Sequence, residues 1–138
     1  MVNAPMKAAI VTGASRGIGR AVALRLDVGR LFDETERALG RVGIVVHSAG
    51  IMKMLPLGTS NKQDFDATFA TNVRGTFNVL KQAARRLADG SRIATLATSP
   101  IALSLPGYRP YAASKAAVEV LTRTLVNGQV LRANGGHA

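Results

Sequence analysis

The chain has 138 residues, 47% of them hydrophobic, a length and apolar fraction that suit one compact domain. It has no cysteine and only two histidines, His47 and His137, so disulfides, thiolate chemistry and a histidine-based metal centre are excluded and no metal site is expected. The formal net charge of +10 raises the question of nucleic acid, but the basic residues are scattered and only 4% of residues are aromatic. We therefore expect no nucleic-acid partner.

No stretch of the sequence has the apolar length that a membrane span requires, and the first residues show no cleavable signal. These features predict a cytoplasmic protein without a membrane partner.

The first half of the chain predicts a strand, a glycine-rich turn and two helices. Residues 8–11 form an apolar run typical of a strand buried on both faces, and glycines follow over residues 12–19. Apolar residues spaced four apart predict a helix from about residue 17 to 26. A second helical stretch runs from about residue 31 to 39 and ends at Gly40.

A buried strand at residues 43–46 and a long helix come next. The segment 60–63, Ser-Asn-Lys-Gln, has the form of a capping box and predicts the start of that helix, which ends at Asp89-Gly90. One apolar stripe on the helix is expected to face the core. Its members are Phe65, Phe69, Val73, Phe77, Leu80, Ala84 and Leu87.

The last predicted elements are a strand over residues 93–97, a turn at Pro106-Gly107, a helix from about 111 to 126 and a strand over 129–131. Strands that alternate with helices predict an α/β fold with a parallel sheet.

One irregularity concerns the region between the first two predicted helices. A dinucleotide-binding fold places its second strand there, tipped by an acidic residue that holds the ribose. Residues 26–30 are too few and too polar to form it. The sequence therefore predicts that the adenosine half of a standard site is missing.

Two motifs contain residue types that are used in ligand binding and catalysis. The glycines of the turn over residues 12–19 let backbone approach a phosphate at a helix N-terminus, although a tight turn with packing glycines would look the same. Tyr111 and Lys115 are spaced four apart on one predicted helical face, so the ammonium is expected to draw the tyrosine pKa down toward the range of a general acid. Taken alone, such a pair is also typical of a helix surface.

Together these motifs resemble those of the classical short-chain dehydrogenase/reductases. Residues 12–19 match the TGxxxGxG turn of that family, residues 72–75 its helical asparagine segment, and residues 111–115 its YxxxK pair. Ser99 lies near the place of its catalytic serine, twelve residues before Tyr111 where thirteen is commoner. Thr98 occupies the thirteenth place and is the alternative hydroxyl.

The resemblance implies a three-layer Rossmann-type fold, an α/β parallel sheet shortened to about four strands that lacks the family's second, third and sixth strands. Residues 1–138 would form a single shortened NAD(P)-binding domain. Removing those strands would make the first strand an exposed edge and leave the last strand without its usual neighbour. A smaller departure is the segment 47–50, His-Ser-Ala-Gly, where the family usually has Asn-Asn-Ala-Gly.

The resemblance also implies an NAD(P)H-dependent oxidoreductase that transfers hydride between nicotinamide and a small carbonyl or alcohol substrate. The catalytic residues would be Asn72, Ser99, Tyr111 and Lys115. The cofactor would be held by Thr12, Gly13, Ser15, Arg16, Gly17, Ile18, Gly19, Ser48, Ala49, Gly50, Asn72, Tyr111 and Lys115. Arg16 directly before Gly17 favours NADP(H) over NAD(H).

The alternative is a catalytically inactive remnant that binds nucleotide weakly or associates with full-length relatives. A homo-oligomer through the helices at 60–89 and 111–126 is a further expectation.

Overall fold

The structure is a computed structural model that describes residues 8–13, 28–54, 56–98, 107–125 and 128–133. Its described residues form a four-stranded sheet with strands β1 (Ala8–Thr12), β2 (Val42–His47), β3 (Arg92–Thr98) and β4 (Gly128–Ala133). The strand order is β1-β2-β3-β4, and each neighbouring pair is parallel. The predicted α/β class and the shortened parallel sheet are confirmed.

The last strand lies directly beside β3, where Ile93 pairs with Gly128 and Thr98 with Ala133. β4 therefore has a neighbour in the sheet although the family's sixth strand is not represented between them. Within the described sheet, β1 is an edge strand, as predicted.

The helices are α1 (Val28–Leu39), α2 (Lys62–Phe69), a π-helical segment (Ala70–Arg74), α3 (Gly75–Arg86) and α4 (Arg109–Arg123), with a 3₁₀ turn at Leu57–Thr59. Gly40 ends α1 with a φ of 81°, a conformation that favours glycine. The helix predicted from residue 17 to 26 lies outside the described residues. None of the helices in the described part of the chain is long and apolar enough to cross a membrane.

The start of α2 corrects the predicted capping box by one residue. Asn61 is the N-cap, since its side-chain oxygen accepts from the Asp64 N–H at 2.8 Å and its amide donates back to the Asp64 carboxylate at 2.9 Å. The Ser60 hydroxyl instead donates to the Pro56 carbonyl at 2.9 Å. Ser60 therefore belongs to the preceding 3₁₀ turn.

The predicted core-facing stripe of the long helix is confirmed at Leu80, which is buried in the core, and at Leu87, which packs against the core, but it is wrong at Phe65, Phe77 and Ala84. Phe65 and Phe77 are 42% and 47% exposed. The long helix instead buries a set of small, polar and aliphatic residues, namely Thr68, Thr71, Asn72, Gly75, Thr76, Val79, Leu80 and Ala83. The π segment, which widens the helix by one residue in a turn, separates α2 from α3.

The hydrophobic core lies between one face of the sheet and the helices α1 and α3. Its buried members are Ile10, Val28, Phe32, Val42, Val45, Val79, Leu80, Ala83 and Ile93. On the other face, Val11 is 55% and Ile44 is 43% exposed, so burial alternates along β1. The prediction that β1 is buried on both faces is therefore wrong for the described residues, where α1 packs on β1 and α3 packs on α1.

Candidate functional site

The predicted site residues of the described chain gather where β1, β2 and β3 end. These strands are parallel and adjacent, so Thr12, His47 and Thr98 lie at the same edge of the sheet. In open α/β sheets, ligands bind outside the carboxyl ends of the strands. Gly13, which follows Thr12, and the segment 48–50, which follows His47, form the floor of the candidate site.

Gly13 contacts the segment 48–50 directly. This residue has a φ of 79°, and a Cβ on it would lie 2.5 Å from the Ala49 nitrogen, so a side chain there would be excluded by backbone. The Ser48 N–H also donates to the Thr12 carbonyl at 3.1 Å. Glycine at position 13 is therefore required for the close packing of the segment 48–50 on the first turn.

Asn72 joins the segment after β2 to α4. Its side-chain oxygen accepts from the Ile51 N–H at 2.8 Å, and its amide donates to the Ile51 carbonyl and to the Ser114 hydroxyl, both at 2.9 Å. Asn72 is fully buried in the π segment between α2 and α3. Every hydrogen-bonding atom of the amide has a partner, which offsets the cost of burying it.

Lys115 lies beside Asn72 at Gly50. A Cβ on Gly50 would be 3.2 Å from Asn72 Oδ1 and 3.3 Å from Lys115 Nζ, so the absence of a side chain lets both polar groups reach this turn. The ammonium donates to the Leu96 carbonyl on β3 at 2.8 Å. Burial lowers the pKa of Lys115, because the charged form is poorly solvated there.

Tyr111 lies one helical turn before Lys115 on α4 and is partly buried. Burial raises the pKa of Tyr111, while a hydrogen bond from the Thr98 hydroxyl opposes that shift in part. The predicted lowering of the Tyr111 pKa by Lys115 is wrong. Desolvation of the phenol is the larger effect, and the ammonium is engaged with the Leu96 carbonyl.

His47 is a site residue whose role sequence reasoning missed. Its Nδ1 lies 2.7 Å from the Thr12 hydroxyl and its Nε2 lies 3.0 Å from the Thr76 hydroxyl. Burial, together with the positive charge of Lys115, lowers the pKa of His47 to about 4. The departure from the usual Asn-Asn-Ala-Gly was visible in the sequence, but its partner Thr76 lies 29 positions away on a helix.

The structure brings together part of the predicted set. Eight of those residues are described, namely Thr12, Gly13, Ser48, Ala49, Gly50, Asn72, Tyr111 and Lys115. The others lie outside the described residues, namely Ser15, Arg16, Gly17, Ile18, Gly19 and Ser99. The roles of all these residues stay predictions.

Comparison with known proteins gives concordant results. A family model described as enoyl-(acyl carrier protein) reductase matches residues 21–129. A short-chain type dehydrogenase/reductase of Picea abies is 31% identical over 86% of this chain and 64% of its own length.

Two solved structures share the fold of the described chain. A dehydrogenase of Burkholderia cenocepacia with bound NADP has a TM-score of 0.67 and 33% identity over 70% of this chain and 36% of its own. A short-chain dehydrogenase/reductase of Burkholderia phymatum in complex with NAD has a TM-score of 0.65 and 28% identity over 78% of this chain and 41% of its own. The chain thus spans between about a third and two thirds of the length of these proteins.

Proposed function

This chain belongs to the short-chain dehydrogenase/reductase family, and we propose that it is an NAD(P)H-dependent oxidoreductase acting on a small carbonyl or alcohol. The observation that carries the proposal is the meeting of the Lys115 ammonium and the Asn72 amide at Gly50, with Tyr111 one helical turn away. These three side chains come from two different helices. Their convergence at the carboxyl edge of the sheet supports a reaction centre rather than a helix-surface pair.

The described residues fit a nicotinamide dinucleotide. Gly13 and Gly50 carry no side chain at this edge of the sheet, so Ala49 packs closely on the first of them and the polar groups of Asn72 and Lys115 reach the second. Lys115 carries three N–H donors, of which one is used on the Leu96 carbonyl, so donors remain for ribose hydroxyls. Gly13, Ser48, Ala49 and Gly50 would line the cofactor, with Thr12 and the segment 15–19 as further proposed contacts. When bound, the cofactor supplies or accepts the hydride.

The proton is assigned to Tyr111. Because burial raises its pKa, the phenol keeps its proton at neutral pH, as a donor to a carbonyl oxygen must. Lys115 would hold the ribose hydroxyls through the N–H donors that the Leu96 carbonyl leaves free. Asn72 would hold the π segment in place beside Lys115 through its hydrogen bonds to Ile51 and Ser114.

The hydroxyl that holds the substrate oxygen has two candidates. Ser99 is implied by the family resemblance, whereas Thr98 is the residue whose hydroxyl opposes the rise of the Tyr111 pKa. We assign the role to Ser99 with Thr98 as the alternative. Thr98→Val and Ser99→Ala separate them, since the substitution that removes the substrate contact lowers the rate by the larger factor.

NADP(H) is proposed over NAD(H). The support is Arg16, directly before Gly17, whose guanidinium would pair with the 2′-phosphate. The two related structures contain NADP in one case and NAD in the other. Arg16→Ala should therefore weaken NADPH binding much more than NADH binding.

Self-association and location complete the proposal. The described helices within residues 60–89 and 111–126 present exposed apolar residues, among them Phe65, Phe77 and Val120, and a groove lined in part by Val73 and Leu121. We propose that this surface pairs with a second copy of the chain, and that the protein acts in the cytoplasm.

The test begins with the thermal melting of the purified chain in NADPH or NADH at millimolar concentration, followed by reduced-nicotinamide absorbance with a panel of ketones. Tyr111→Phe should abolish turnover while changing the melting temperature little. Tyr108→Phe, the same change at the second of the two tyrosines, serves as the matched control and should keep the rate. No melting shift with either cofactor would contradict the enzyme and favour the inactive remnant.

A further inference from the structure

The sheet edge and the long helix are connected by a buried line of hydrogen bonds through His47. Thr12 ends β1, His47 ends β2 beside it, and Thr76 lies on α3. The Thr76 hydroxyl continues the line by donating to the Asn72 carbonyl at 2.5 Å. These four residues are each no more than 6% exposed.

The line fixes the hydrogen positions of a neutral imidazole. Since the Thr76 hydrogen goes to the Asn72 carbonyl, the Thr76 oxygen is left to accept, and His47 Nε2 must carry the proton. His47 Nδ1 then has a lone pair and accepts from the Thr12 hydroxyl. A neutral imidazole with the proton on Nε2 is thus the form in which each of the three bonds has one donor and one acceptor.

The surroundings favour the neutral form. His47 is 3% exposed, and Lys115, the charged group that acts on it, is positive. Burial and that charge keep the pKa of His47 well below its ordinary value. At neutral pH the imidazole is therefore uncharged, and it acts as a hydrogen-bond donor at Nε2 and an acceptor at Nδ1.

Both ends of this line reach the proposed cofactor site. Thr12 precedes Gly13, whose backbone packs on Ala49, and Asn72 adjoins Lys115 at Gly50. We propose that His47, in its Nε2-protonated form, is a positioning residue that holds Asn72 in register with the glycine turn. This inference rests on the proposed function and adds a residue to it that touches neither cofactor nor substrate.

The first measurement needs no cofactor. Long-range proton–nitrogen NMR correlations at about pH 7 report which imidazole nitrogen carries the proton, and His137→Gln assigns the second histidine. We expect a neutral His47 with its proton on Nε2. A proton on Nδ1, or a charged imidazole, would overturn the inference.

The second measurement uses a variant that removes one hydrogen bond of the line, the one between His47 and Thr76. Thr76→Val keeps the shape of the side chain but removes the acceptor of the Nε2 proton, so the proton should move toward Nδ1, where Thr12 can accept it. The dissociation constant of NADP⁺ should rise about tenfold, as for a lost buried hydrogen bond.

Thr71→Val is the matched control, because Thr71 is a threonine of the same long helix, also buried, and its hydroxyl has no partner among the described residues. It should leave the imidazole proton in place and NADP⁺ affinity within about twofold. Equal behaviour of the two variants would contradict the positioning role.

The third measurement is a double-mutant cycle. His47→Asn installs the residue that the family usually has, with an amide too short to span from Thr12 to Thr76, and should weaken NADP⁺ binding by about the same factor as Thr76→Val. The double variant should then show no further loss, because both changes break one line. Additive losses would refute the line. Failure of the unchanged chain to bind NADP⁺ would instead refute the proposed function and the positioning role with it, while the NMR result would still decide whether the line exists.

Discussion

The long helical segment from α2 to α3 has two faces that reverse the usual assignment of polar and apolar residues. One face, which contains Thr68, Thr71, Asn72 and Thr76, is polar and fully buried. The other, which contains Phe65 and Phe77, is apolar, with these two side chains 42% and 47% exposed.

Hydrogen bonds explain the buried polar face. Thr68 donates to the Asp64 carbonyl at 2.8 Å, Thr76 donates to the Asn72 carbonyl, and the Asn72 amide has partners on both of its polar atoms. A polar group whose bonds are made inside the protein can be buried at little cost. Burial therefore follows from available partners as much as from hydrophobicity, and the polar face is the one that meets the proposed site.

The largest expected effect comes from removing the amide at the centre of the polar face. Asn72→Leu would leave the Ile51 N–H, the Ile51 carbonyl and the Ser114 hydroxyl without their partner. The free energy of unfolding should fall by about 4 kcal/mol, since each unsatisfied buried group costs about 1–3 kcal/mol. Urea denaturation measures the loss. Asn78→Leu, the same change at a less buried position of α3, should shift it by less than about 0.5 kcal/mol.

The second largest effect should come from acid, because protonation of the buried His47 imidazole destabilises the polar face. Its pKa is about 4 in the folded protein against an ordinary 6.5, so the unfolded chain binds the extra proton first as the pH falls. The corresponding stability is complete above pH 6.5 and is lost as the pH falls toward about 4, by up to about 3 kcal/mol. Denaturation at a series of pH values measures the slope. His47→Asn should have a flatter profile, and an identical slope in both proteins would contradict the buried neutral imidazole.

The proposed self-association through the apolar face is tested by placing a charged residue on that face. Phe77→Asp should weaken self-association by at least about tenfold, because an exposed carboxylate would become buried in the proposed contact. The melting temperature of the monomer should change little, since Phe77 is 47% exposed. Sedimentation velocity reports the oligomeric state. Leu39→Asp at the end of α1, where the side chain is 67% exposed, is the control and should leave association intact. A wild-type chain that sediments as a monomer would contradict the proposed oligomer.

The smallest effect should come from Thr71, the member of the polar face without a hydrogen bond at its hydroxyl. Thr71→Val removes a buried oxygen that has no partner among the described residues, so stability should stay equal or rise by about 0.5–1 kcal/mol. Thr76→Val should do the reverse and destabilise the protein. A comparison of the two melting curves sharpens the difference between a satisfied and an unsatisfied threonine.

Much of the fold could be predicted because its signals are local. Apolar runs bounded by glycine located β1 and β2, and the Gly40 stop ended α1 at the predicted residue. The pairing of β4 with β3 was harder to predict, because the neighbour of a strand in a sheet depends on the topology of the fold and not on the sequence of the strand. The cap of α2 shifted by one residue because Ser60 had a competing partner in the Pro56 carbonyl.

The class of fold, the family and the residue types of the proposed site could be predicted from the amino-acid sequence, because buried strands, glycine turns and the Tyr111–Lys115 spacing depend on neighbouring positions. Which face of the long helix is buried, and that His47 joins Thr12 to Thr76, became clear from the folded structure alone. Those outcomes depend on partners brought together from different strands and helices. Hydrogen bonds and desolvation act between neighbours in space, and no periodicity along the chain encodes them.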